Sequence, residues 1–485
     1  MPGRAATFIF NNSNEDSRSN SRELEYEEIS KAFFAAWRRR TVNSSTVNHF
    51  GQRWLSQGLE NLPYIAEHNS LSALEDSFKN MPMVLISPGP SLDKNIGQLK
   101  QLIGKALLVA TQPAAKALSV AGIIPNIIIL ADPSDLTYQL EDVPMDKVDA
   151  LLLGVSCHPD LYRKYSGKIL TFNVNGGIDD WISDIFSDTV PRVSSGGSVS
   201  STALHIGMYL KCDPIILVGQ DLSLSNGKIY ATNAADGDMS INFKDGEKSL
   251  FYTNISENYI KSISNKQWAE ASFSSKVELL PGYYGGFVKT KSDYAIFHSE
   301  FETAATNNKL KTTPTLLLNC TEGGAFIKGF EHIALKDAIT LVDNIHKNKL
   351  VDGSIIRERL IQANTLGRKR ILVEKLNKIK KSFDKSHKLA LECKKTALKV
   401  RKSLQPKSAL ATKEAELVKA VHDSQFISIA RQADINYAIK MGVNATDLKS
   451  SLDASGILHD LIIETITFLY PFLRTSLNIL KQPEV

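Results

Sequence analysis

The sequence predicts an α/β fold: a Rossmann-like, mostly parallel sheet core with a helical N-terminal lead-in and an all-helical C-terminal domain. Three observations carry this. Between residue 83 and about residue 330, short and solidly apolar runs alternate with segments of helical spacing, the pattern of parallel strands buried on both faces. Those runs end in turns rich in Gly, Pro, Ser and Asp, where sheets of this kind hold their ligands. Beyond about residue 335 the Gly and strand signals fade, and a heptad-like apolar stripe takes over.

Taken in order, residues 1–22 include the polar run Asn11 to Asn20 and read as a mobile tail. Residues 23–80 read as a helical segment: helical spacing over Leu24 to Trp37, then Phe50, Trp54, Leu55 and Leu59, a break at Asn61-Leu62-Pro63, and Leu71, Leu74 and Phe78. The core, 81–335, opens with the strand Met83-Val84-Leu85-Ile86, the loop Ser87-Pro88-Gly89-Pro90-Ser91, and a helix through Leu92, Ile96 and Leu99. Such a loop can turn backbone N–H groups toward an anion, with Gly89 removing the side chain that would block close approach. Further strands are expected at Ala106 to Ala110, Ile127 to Leu130, Ala150 to Val155, Ile169 to Phe172, Pro214 to Val218 and Leu316 to Asn319. They lead into Ala131-Asp132-Pro133, Gly219-Gln220-Asp221 and Thr321-Glu322-Gly323-Gly324-Ala325, while Ser194 to Ser198 leads into a helix carrying Ala203, Leu204, Ile206 and Met208. Residues 233–300, polar and weakly periodic around Pro281 to Gly286, read as an irregular lid, followed by a helix around Tyr294, Phe297 and Phe301.

The helical domain, 336–485, begins its stripe at Leu372, Leu376, Ile379, Phe383, Ala390, Cys393, Ala397, Val400 and Leu404. A turn at Gln405-Pro406 and a return through Leu417, Val421, Ile427 and Ala430 make a long antiparallel hairpin with a lysine-rich surface, a solvated face or a docking face for an acidic protein. The last helix, Ile457 to Leu480, is apolar on most sides and is expected to be buried in this domain or in a subunit interface.

Composition narrows the function classes. A net charge of +5 over 485 residues gives no reason to expect nucleic acid. The four cysteines (Cys157, Cys212, Cys320, Cys393) are far apart with no C-x-x-C pair, so neither a disulfide framework nor a zinc site is expected. No run reads as a bilayer span or signal peptide, which makes the cytoplasm the expected location. Gly89, Asp132, Ser195-Gly196 and Asp221 all fall at strand ends or helix starts, which points to one shared site. Asp132, Asp221 and Glu322 have bland alternatives as caps or loop ties. His298, His158 and His205 are more ordinary as structural histidines, and Tyr283-Tyr284 fits lid packing or a sugar platform equally.

With Pro88-Gly89-Pro90-Ser91-Leu92-Asp93, Ser195-Gly196-Gly197-Ser198-Val199, Gly219-Gln220-Asp221-Leu222 and Thr321-Glu322-Gly323-Gly324-Ala325 in this order, the chain resembles the motility-associated factor (Maf) flagellin glycosyltransferases. Arg53-Trp54 and Asn61-Leu62-Pro63 add to the likeness, which covers about 45 to 335; the helical part is similar only in general character. That family's core is similar to the bacterial sialyltransferases that use CMP-activated sialic acid. The resemblance implies transfer of a nonulosonic acid (pseudaminic or legionaminic acid) from its CMP ester to Ser or Thr of flagellin, in flagellum assembly and motility. It places Gly89-Pro90-Ser91, Ser195-Gly196, Gly219-Gln220-Asp221, Asn226-Gly227 and Tyr230 at the nucleotide sugar, and the strand-end Asp132 and the loop's Gly197 are expected beside them. Asp221, Glu322 and His298 are its catalytic candidates. The sialyltransferases take their base, a His, from the lid; here His298 is lid-proximal, with Asp132, Asp221 and Glu322 as alternatives, and the base stays open. No cofactor is required beyond the donor, while Mg²⁺ and a homo-oligomer stay open. The alternatives are a pterin pyrophosphokinase using ATP, disfavoured by the lack of clustered carboxylates near the Gly-Pro-Ser loop, and a non-enzymatic flagellin chaperone.

Overall fold

The computed structural model describes residues 51–174, 181–182, 185–186, 190–225, 227–244, 246, 248–262, 274–345, 351–360, 365–402, 407–423, 435, 438–441, 443–445 and 447–482. The expected tail over 1–22, the helix over Leu24 to Trp37, Phe50, Asn226, Leu404, the Gln405-Pro406 turn, and Ile427 and Ala430 lie outside the described residues. The described chain divides into two compact units, Gln57–Leu372 and Met1–Ser56 with Val373–Val485.

The first unit is built on nine parallel strands: β1 Met83–Ile86, β2 Leu107–Thr111, β3 Ile127–Leu130, β4 Ala150–Gly154, β5 Ile169–Val174, β6 Arg192–Val193, β7 Ile215–Val218, β12 Leu317–Asn319 and β13 Glu331–His332. Their order is β13-β12-β7-β1-β2-β3-β4-β5-β6, so the chain starts at the centre and moves out first one way, then the other. Leu85 stands opposite Val109 on one side and Leu217 on the other. Alternate residues point to opposite faces, and both faces are buried. Met83, Leu85, Leu107 and Val109 join one apolar core, and Val84, Ile86, Leu108 and Ala110 join the other. This is why the strands read as unbroken apolar runs. The two-residue edge strands β6 and β13 leave no such trace.

The unit extends past the expected domain edges at 80 and 335. Leu71, Leu74 and Phe78 pack into the first core, and so do Val351, Ile356 and Leu360. The helix Leu335–Ile345 lays Leu335, Ala338, Ile339 and Val342 onto the second.

The segment expected to be irregular over 233–300 holds a second sheet instead, and the expected helix around Tyr294, Phe297 and Phe301 follows it as Ser292–Lys309. Its strands are β8 Ser240–Lys244, β9 Ser249–Thr253, β10 Ser274–Pro281 and β11 Phe287–Lys291, antiparallel in the order β11-β10-β9-β8. Its small core of Leu224, Ile229, Met239, Ile241 and Leu250 is too sparse to give strong alternation. Asp245-Gly246 in the sequence was the available hairpin signal. Gly282-Tyr283-Tyr284-Gly285-Gly286 is the β10–β11 turn, closed by the Gly282 N–H to Gly286 carbonyl bond (3.0 Å).

In the second unit, Leu376, Ile379, Phe383, Ala390, Cys393 and Val400 are buried along the helix Thr365–Arg401, as the stripe predicts. Lys413 on the helix Lys407–Asp423 reaches Glu392 at 2.8 Å. The helix Leu448–Leu480 corrects one expectation, because it is long and apolar enough to cross a membrane. Within its unit it is tied by Asp460 to Lys394, Asp453 to Arg401 and His459 to Glu414, at 2.6, 2.6 and 2.9 Å. Leu458, Ile462, Ile466, Leu469 and Leu473 are buried on its inner side, while Ile457 and Phe468 are exposed.

Candidate functional site

At the carboxyl edge of the central strands, the loops after β1, β7 and β12 are fastened to one another through Asp221. Its carboxylate accepts the Ser91 hydroxyl (2.6 Å) and the Ser91 N–H (3.2 Å). Its backbone carbonyl accepts the Ala325 N–H at 2.8 Å. Gly89 donates its N–H to the Gly219 carbonyl at 2.9 Å. A Cβ at Gly89 would stand 2.1 Å from Asp221 Oδ2 and 2.4 Å from that carbonyl. Gly324 has a φ of 71°, and a Cβ there would stand 2.2 Å from the Asp221 carbonyl.

This corrects the expected anion cradle. The N–H groups of Ser87, Gly89, Ser91, Leu92, Asp93 and Lys94 all have protein acceptors, and Pro88 and Pro90 have none to offer. Gly89 is needed because a neighbouring strand end fills the space, and Ser91 is buried against Asp221. Asp221 itself is only 3% exposed. Burial pushes its carboxyl up to about 6, while the Ser91 hydroxyl and N–H oppose the shift. An acid with a raised native pKa binds its proton more tightly folded than unfolded. Stability then falls as pH rises from about 4 to about 6, by up to about 3 kcal/mol. Asp221→Asn is expected to flatten that part of the profile, read as the difference in Tm between the two proteins across the window.

Two further catalytic candidates are also engaged. Glu322, with a φ of 54°, accepts the Leu335 N–H at 2.9 Å and so caps the helix Leu335–Ile345. His298 is buried on the helix Ser292–Lys309, where Nε2 bonds the Phe326 carbonyl at 2.7 Å. That is a structural histidine, not a base open to an acceptor. Tyr283 donates to the Asn319 and Ile333 carbonyls (3.1 Å each), which is lid packing, whereas Tyr284 is 75% exposed.

A half-buried polar cluster lies around the start of the helix Ser292–Lys309. Gly196 and Gly197 take φ values of 52° and 84° in the loop before the helix Val199–Tyr209. Ser195 holds that loop, its carbonyl accepting the Ser201 and Thr202 hydroxyls at 2.6 and 3.0 Å. Gly197 faces the Phe297 ring, where a Cβ would sit 3.3 Å away. The N–H groups of Gly196, Val199 and Ser200 have no acceptor among the described residues.

From Phe297 an aromatic chain runs on to Tyr294, with ring centroids 6.1 Å apart. The Lys291 ammonium stands 4.2 Å from the Tyr294 ring centre, 5.6 Å from that of Tyr252, and 2.7 Å from Asp293. Asp293, Tyr294 and Tyr252 hold Lys291 well above the usual ammonium range despite burial. Tyr230 joins this group beside the β1 loop, because Ala231 donates to the Pro88 carbonyl (2.7 Å) and Thr232 to Asp93 (3.0 Å). Burial pushes the Tyr230 phenol up to about 12. Neither the Tyr230 nor the Tyr294 hydroxyl has a hydrogen-bond partner among the described residues. Asp132, half-buried at the end of β3, accepts the Ser134 N–H at 2.7 Å and adds its charge to the environment of Tyr259 in the same cluster.

The structure therefore sorts the expected site residues into two sets. Gly89, Pro90, Ser91, Asp221 and Glu322 build the scaffold; Asp132, Ser195, Gly196, Gly197 and Tyr230 border the half-buried polar cluster. Lys291, Tyr252, Tyr259 and Tyr294 were missed. The signal available was a tyrosine recurring through an otherwise polar stretch. One trio, Asp135, His158 and Asp160, has ligand atoms within 4.8 Å of one another. Asp160 is also paired with Arg163, and both carboxylates are exposed.

Comparison with known proteins agrees with this architecture. A family model described as 6-hydroxymethylpterin diphosphokinase MptE-like matches residues 56–227. No curated protein matches the sequence. Among solved structures, the Maf glycosyltransferase from Magnetospirillum magneticum AMB-1 superposes with a TM-score of 0.51 at 12% identity, over 88% of this chain and 61% of that one. The chain thus spans less than two thirds of that protein's length. The likeness to Maf glycosyltransferases expected from the loop motifs is met in the fold that this chain shares with one of them.

Proposed function

We propose that this chain is a glycosyltransferase that moves a nonulosonic acid, pseudaminic or legionaminic, from its CMP ester to Ser or Thr hydroxyls of flagellin. The observation that carries the reading is the pair of unpartnered hydroxyls of Tyr230 and Tyr294 beside the Lys291 ammonium, near the Gly197 turn. Breaking the bond from the anomeric carbon to phosphate builds charge on the departing CMP and leaves an oxocarbenium-like sugar that carries its own carboxylate. Two phenols, an ammonium and the N–H groups of Gly196, Val199 and Ser200 suit such oxyanions. The Ser or Thr acceptor is a weak nucleophile and needs a base, a role this reading gives to Asp132. The reaction belongs in the cytoplasm, where flagellin and the activated sugar meet.

Phosphate hydrogen bonds to each of these groups contribute about 1.5–3 kcal/mol. Tyr230→Phe and Lys291→Met are therefore expected to weaken CMP binding by roughly ten- to a hundredfold each, read by titration calorimetry. The reading itself is tested by intact mass of flagellin produced with this protein and a pathway for the activated sugar. An unchanged mass would overturn it.

A second reading is favoured by the family description over 56–227: diphosphate transfer from ATP to a hydroxymethylpterin. Thermal shift separates the two. Stabilisation by CMP supports the transferase; stabilisation confined to ATP with Mg²⁺ supports the kinase.

A further inference from the structure

The helix Thr365–Arg401 carries 13 Lys and Arg against three acids, a net +10 in a chain whose total is +5. Part of that charge is answered: Lys378 pairs with Glu374, Lys380 with Asp384, and Lys394 with Asp460. Lys375, Lys381, Lys385, Lys388, Lys395 and Lys399 are exposed and make no ion pair within 4 Å among the described residues, although Lys388 and Lys395 add to the positive field on Glu392. From Lys381 onward their spacings of four, three, seven and four keep them on the side opposite the buried stripe, and Lys375, six residues earlier, lies on its flank. From Lys381 to Lys399 the row is about 27 Å long at 1.5 Å per residue. Exposed aliphatic side chains flank it, Leu391 at 39% and Leu398 at 55%.

We propose that this face docks on an anionic lipid surface. Three features favour a bilayer over a protein. The row is straight. Between Glu374 and Lys399 its exposed positions hold no Arg and no aromatic residue, whereas protein interfaces are enriched in Arg and aromatics and depleted in Lys. Lysine is a compact, strongly hydrated point charge on a flexible stem, suited to diffuse negative potential rather than to a forked contact. Leu391 and Leu398 then add shallow insertion at the acyl boundary, the pattern of an interfacial basic helix. This lies outside the transferase reading and stands or falls without it.

The test is flotation of the full chain with vesicles of phosphatidylcholine alone or with 30 mol% phosphatidylglycerol (about that fraction gives a strong surface potential). Partition onto the anionic vesicles is expected to be about a thousandfold stronger and to fall with added salt. Each lysine lost is expected to cost about fivefold. Lys385→Glu, Lys388→Glu and Lys395→Glu together are expected to bring binding to the phosphatidylcholine level, with an unchanged melting curve. Leu391→Ser with Leu398→Ser is expected to weaken binding several-fold while keeping its salt dependence. Equal partition onto both vesicles, or a triple variant that binds like the parent, would overturn the proposal. So would binding of a DNA duplex or an acidic peptide more tightly than the anionic vesicles through the same lysines.

Discussion

Gly89→Val is expected to lose fold stability rather than nucleotide affinity alone. The Cβ would fall 2.1 Å from Asp221 Oδ2 and 2.4 Å from the Gly219 carbonyl, and neither can retreat. Asp221 is held by Ser91, and Gly219 sits at the end of a central strand. Relief means parting the β1 and β7 loops and leaving the buried Asp221 carboxylate without its donors. Overpacking of about 1–3 kcal/mol and a lost hydrogen bond to a charged group of similar size together predict about 3–5 kcal/mol. Thermal and urea melts read this directly. A variant that melts with the parent yet no longer binds CMP would restore the view that the loop cradles the nucleotide. Gly324→Ala, 2.2 Å from the Asp221 carbonyl with positive φ, is expected to behave the same way from the opposite side of the clasp.

Asp132→Asn is expected to have the largest effect on turnover. Among the carboxylates expected at the site, Asp221 and Glu322 accept hydrogen bonds that hold loops and a helix end. Asp132 is half-buried at the mouth of β3, fixed by the Ser134 N–H at 2.7 Å. A lost general base typically costs 10²- to 10⁴-fold. The amide keeps the acceptor for Ser134, so the fold and CMP affinity are expected to persist while transfer falls by about that factor. Single-turnover transfer to flagellin, paired with CMP titration, separates the two effects. Transfer within a few fold of the parent would remove Asp132 from the role.

Much of the core was legible because a strand covered on both faces leaves a one-sided record in sequence. Met83 to Ile86, Ile127 to Leu130 and Ile215 to Val218 contain no polar residue, and all three lie in the parallel sheet. The β8–β11 sheet was not legible, because its residues face a small core on one side and its polar positions resemble a loop. At the site, glycines were visible but their reason was not. Gly89 and Gly197 look alike in sequence. One is crowded by a neighbouring strand end and the other by an aromatic ring beside the polar cluster. Which it is depends on contacts between segments about a hundred or more residues apart, and no local pattern records them. Lys291 and Tyr294 escaped for the same reason, since their meaning comes from Tyr230 and Tyr252 around them.

The strand order has a consequence for how the molecule comes into being. β1 must accept β7, about 130 residues later, before the middle of the sheet is closed, and β12 arrives only after the whole antiparallel insert has emerged. Such distant pairings make for slow assembly. During synthesis one flank of β1 stays unpaired while roughly a quarter of the polypeptide is made, so the nascent chain carries an adhesive apolar edge that the finished protein never shows.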